Sequence, residues 1–123
     1  MKVLIRDGAG EGNILRFKFD ETISRQSSSL VRFRDQAEAT GLAGEIGHVA
    51  KILVTHIFSA VPGICLISLR PKQVIVHLEA GNQWWSEDDE NKIKAAIETI
   101  FHNRGTDISW SVQRRVGETP TPL

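Results

Sequence analysis

The stretch Ile64-Cys65-Leu66-Ile67-Ser68-Leu69-Arg70-Pro71-Lys72-Gln73-Val74-Ile75-Val76-His77-Leu78-Glu79 decides the fold class. Ile64 to Leu69 is a nearly unbroken apolar run. Arg70-Pro71-Lys72 interrupts it, and Val74, Val76 and Leu78 then alternate with Ile75, His77 and Glu79. Short β-branched runs bounded by a turn read as strands, and two in tandem read as a hairpin. Both strands are apolar enough to be central in a sheet.

Two further hairpin strands are expected upstream. Val3-Leu4-Ile5 is apolar, Gly8 to Asn13 breaks the chain, and Leu15, Phe17 and Phe19 alternate with Arg16, Lys18 and Asp20. That is the period-2 signature of a half-buried strand. Leu30 to Arg34 predicts a third strand, with Val31 and Phe33 on one side and Arg32 and Arg34 on the other.

Helical spacing separates these strands from the hairpin. Ala37, Ala39, Leu42, Ala43, Ile46, Val49, Ala50, Leu53, Ile57 and Phe58 recur at three- and four-residue steps, as on one apolar helix face. Gly41, Gly44 and Gly47 weaken its beginning, so a sound helix is expected from Ile46 to Ser59, stopped by Pro62-Gly63. A second helix is predicted from Ser86 to Arg104. Ser86 is a good N-cap, and Glu87, Asp88, Asp89 and Glu90 suit the positive end of the helix dipole. Ile108, Trp110 and Val112 predict a last strand. The order βββαββαβ implies an α+β two-layer sandwich, with two helices on one face of a mixed or antiparallel sheet. Residues 1–113 form one domain in this reading, and 114–123 a flexible tail.

Composition excludes several classes. The 123 residues carry 15 basic and 15 acidic side chains. A balanced charge argues against nucleic acid and anionic membranes as partners, and near-neutrality favours a homo-oligomer. The single cysteine, Cys65, excludes an intrachain disulfide and a multi-cysteine metal cage within one chain. Met1–Asp7 reads as a strand rather than a leader, and no apolar stretch is long enough to span a bilayer. The expectation is a cytoplasmic protein with no cofactor.

The candidate chemistry is thin. The Gly8-x-Gly10-x-Gly12 loop leads into a strand, whereas phosphate binding needs a helix start there. Glu45, His48 and His56 could share a helix face, but no second Glu-x-x-His accompanies them. The Glu87–Glu90 run lacks calcium-loop spacing. Cys65 reads as a small buried residue, with a nucleophile assisted by His77 as the alternative. The residues left for partner binding are Trp84 and Trp85, which cannot both face one core, and Arg16, Lys18, Arg32 and Arg34. The cations suit a basic sheet surface open to solvent or to an acidic partner. Nucleic acid is disfavoured because no aromatics interleave. These features point to a non-catalytic binding or assembly module, with a Cys65/His77 enzyme and a weak nucleic-acid-binding domain as alternatives.

The segment from Val61 to Trp84 resembles the N-terminal domain of Nfu/NifU-type iron–sulfur cluster scaffold proteins. Val61-Pro62-Gly63-Ile64, Arg70-Pro71, Val74-Ile75-Val76 and Trp84 fall in that family's order, and Asn13-x-Leu15-x-Phe17-Lys18-Phe19 is similar to its opening strand. Where the family's helix opens Ser-Pro-Leu-Ala, this chain has Thr40-Gly41-Leu42-Ala43. The family's cluster-binding Cys-x-x-Cys lies in its other domain and is absent here. The resemblance implies a fold and a partner-binding role among iron–sulfur assembly components, and transfers neither cluster ligands nor a catalytic residue.

Overall fold

A computed structural model describes residues 1–8, 11–79, 85–114 and 117–123. The fold is α+β, as expected. A sheet of seven strands runs in the order β3-β4-β5-β2-β1-β6-β7. The strands are β1 (Lys2–Gly8), β2 (Glu11–Phe19), β3 (Val31–Phe33), β4 (Ile64–Arg70), β5 (Gln73–Leu78), β6 (Ser109–Gln113) and β7 (Thr121–Pro122). All neighbours are antiparallel except β1 and β6, which are parallel. The expected β4–β5 hairpin is present and lies inside the sheet, flanked by β3 and β2.

Strand pleating sends alternate side chains to opposite faces. Val3, Ile5, Leu15, Phe17, Phe19, Phe33, Ile67, Leu69, Val74 and Val76 are buried and share one face. Helices α1 (Gln36–Gly41), α2 (Ala43–Ile46), α3 (His48–Ala60) and α4 (Glu87–His102) complete that core with Ile46, Ala50, Leu53, Ile57, Ile93 and Ile97. Each fully buried Leu, Ile or Phe contributes about 1.5–3 kcal/mol. Among the described residues, no helix covers the other sheet face.

The helical region differs from the expected single helix with a weak start. It is three pieces, because Gly47 adopts φ 93 and ψ 164 between α2 and α3. An L side chain rarely enters that region. The same break puts Glu45 and His48 on separate helices. At the other end of α3, Gly63 at φ 94 turns the chain into β4. Helix α4 matches expectation closely: the Ser86 hydroxyl accepts from the Asp89 amide at its start, and Gly105 has φ 78 beyond its end.

Within the stretch read from sequence as a flexible tail, residues 121–122 form a strand. Thr121 and Pro122 pair with Val112 and Ser111 as β7, and the Leu123 amide donates to the Trp110 carbonyl. A short edge strand with proline is tolerated because its outward side needs no ladder partner. No helix among the described residues is long and apolar enough to cross a membrane.

Candidate functional site

The helix-free sheet face gathers the expected cations. Register aligns Arg32, Ser68, Ile75, Arg16, Arg6 and Gln113 in one row across β3, β4, β5, β2, β1 and β6. A second row runs Arg70, Gln73, Lys18, Leu4 and Ser111. Arg16, Lys18 and Arg32 therefore share a face as the alternation implied. Their strands are not neighbours, however: β4 and β5 stand between β3 and β2. The connection of residues 20–30 carries the chain from β2 to β3, which pairs with the outer edge of the later hairpin. Arg34 lies beyond the end of β3, where its amide donates to the Glu38 carboxylate, and it drops out of the row. Arg6 and Arg70 join the face in its place. Neither was singled out by sequence, since each ends or opens a run whose pairing depends on distant strands.

The face is electrostatically one-sided. Among the described residues, Arg6, Arg16, Lys18, Arg32 and Arg70 enter no ion pair and no side-chain hydrogen bond. Between the cations lie the half-buried apolar side chains Leu4, Ile14, Leu66 and Ile75. Ser68 is only 4% exposed despite lying on this face, which fits long aliphatic stems resting on the sheet beside it. The face thus combines apolar strips with unneutralised positive heads.

The described aromatic residues avoid it. Phe17, Phe19 and Phe33 are in the core. Trp110 packs edge-on against Phe17, its ring under the Lys94 ammonium and its indole N–H donating to Glu98. Trp84 lies outside the described residues. Trp85 packs partly buried against the core beside α4, with its indole nitrogen enclosed and without an acceptor.

Cys65 corrects the buried reading. The β4–β5 register shifts between Ile64 and Leu66, and this bulge turns the thiol outward, where it is exposed. Its Sγ donates to the main-chain carbonyl of His77 at 3.6 Å. The two residues are brought together as the paired-strand argument expected, through a carbonyl. Glu90 departs from a solvated helix start: it is 6% exposed and holds the Arg114 guanidinium in two bonds of 2.5 and 2.8 Å. Among the described residues, no cluster of three or more His, Cys, Asp or Glu could hold a metal.

No family model, curated protein or solved structure matches the chain.

Proposed function

We propose that this domain is a non-catalytic interaction module that docks an acidic segment of a partner protein on its open sheet face. The observation that carries this reading is the set of unpaired cations, Arg6, Arg16, Lys18, Arg32 and Arg70, interleaved with Leu4 and Ile75. Carboxylates supply in the bound state the partners that these cations lack, and for the four arginines that pairing is bidentate and charge-assisted. The apolar strips add burial to what would otherwise be a salt-labile contact. Single-stranded nucleic acid is the weaker occupant, because base stacking needs aromatic platforms and the described aromatics face elsewhere. The resemblance to Nfu/NifU-type N-terminal domains supports iron–sulfur assembly components as the partner class. A single unbridged thiol suits a reducing cytoplasm.

The test is a titration of the labelled domain with a glutamate-rich peptide, followed by amide chemical shifts. The reading expects changes at Arg6, Arg16, Ser68 and Ile75, lost in an Arg16→Glu, Arg32→Glu double variant. Shifts confined to α4, or tighter binding of a single-stranded oligonucleotide at equal salt, would overturn it.

The second reading, a small enzyme using Cys65 and His77, rests on the exposure of the thiol and its position beside His77. The group touching Sγ is a carbonyl oxygen, which cannot take a proton from it.

A further inference from the structure

On the opposite side of the sheet from the basic face, a cleft of about 510 Å³ opens between the 21–25 segment, the start of α3 and the end of α4. That volume suits a small molecule rather than a lone ion. Its lining sets Arg25 and Arg104, with His48 between the segments that carry them, against a single acid, Glu21. Its apolar floor includes Ile46 and Phe101.

One of these cations lies at a helix end that is itself positive. The N-terminal end of α3 carries the positive pole of the helix dipole, and no side chain caps it. Arg25 is held directly over that end: its Nε lies 2.9 Å from where a Cβ on residue 47 would stand. Glycine at the N-cap is therefore what admits the guanidinium. Neither Arg25 nor Arg104 has an ion pair or a side-chain hydrogen bond among the described residues. Two exposed, unpaired guanidiniums line one cleft beside a positive helix end, and an anion seated there can meet both.

We infer that this cleft binds a small organic anion, with an oxyanion head held by Arg25 and Arg104 and a compact apolar body against Ile46 and Phe101. The guanidinium fork matches the geometry of a carboxylate or a phosphate equally. The site is separate from the basic sheet face, and neither reading depends on the other.

The experiment titrates the protein with phenyl phosphate, benzoate and neutral benzyl alcohol, reading amide shifts at Gly47, Val49 and Thr106. Binding of either anion, with benzyl alcohol silent, is the expected result, and the stronger of the two names the head group. Arg25→Gln and Arg104→Gln are each expected to weaken binding by at least about tenfold, as for loss of a hydrogen bond to a charged group. Arg104 is exposed and unpartnered, so its variant keeps the fold and decides the matter even where Arg25→Gln is unstable. Silence with both anions, an equal response to benzyl alcohol, unweakened binding in Arg104→Gln, or shifts at Arg16 and Ile75 instead would overturn the inference.

Discussion

Arg6 and Arg16 are direct cross-strand partners on β1 and β2, so two guanidinium side chains stand side by side on the open face. Like charges directly opposite one another in a ladder are destabilising. Arg6→Glu replaces the repulsion with a cross-strand ion pair and is expected to stabilise the fold by about 0.5 kcal/mol. The same variant should lose affinity for an acidic peptide. Urea denaturation and a peptide titration read the two effects, and a variant that loses both stability and binding would contradict the assignment of this pair to function.

Gly44 and Gly47 should respond to alanine with opposite sign. A Cβ at Gly44 meets nothing within 4 Å, whereas at Gly47 it meets the Arg25 side chain and a φ of +93. Gly44→Ala is expected to stabilise by about 0.5–1 kcal/mol, through helix propensity. Gly47→Ala is expected to cost about 1–2 kcal/mol, the penalty of left-handed backbone for an L residue. Equal effects in denaturant melts would mean that the break between α2 and α3 is absent in solution.

Cys65 should react with a thiol reagent in the folded protein almost as fast as in denaturant, because the bulge exposes it. A thiol protected until unfolding would place Cys65 back in the sheet interior. A native rate well above the denatured rate, persisting at acidic pH, would signal a stabilised thiolate and favour the Cys65/His77 enzyme.

The Glu90–Arg114 pair ties the chain after β6 to the first turn of α4. Arg114→Ala strands a carboxylate that is 6% exposed. The Arg114 side chain is itself 43% exposed, so the loss is set below that of a fully buried pair, at about 1–2 kcal/mol. Arg114→Lys should recover only part of it, since an ammonium cannot reproduce the two-pronged contact. Thermal melts of the two variants rank them.

Local features were legible wherever the determinants are local. Ser86 and Gly105 bracket α4 in sequence as they do in space, and the Arg70-Pro71-Lys72 turn joins β4 to β5. Alternation also placed Arg16, Lys18 and Arg32 on one face. What alternation cannot supply is which strands are neighbours, because pairing is fixed by contacts far apart in the chain. Hence β2 and β3, consecutive in sequence, are separated by a hairpin that comes later. Cys65 was misread for a related reason: one bulge residue reverses the side to which a strand position points. The cleft at Arg25 and Arg104 gave no motif, since its walls come from three separate segments.

The parallel β1–β6 pairing has a consequence for biosynthesis. The Ser109 amide bonds to the Met1 carbonyl, so one flank of β1 is closed only by β6, which is made after every other strand and helix that builds the core. Until then the nascent domain holds β1 with an open, apolar edge, the kind of surface that recruits other strands. Productive folding of β1 therefore waits for β6, and slowing synthesis between α4 and β6 should raise the share of chains lost to aggregation.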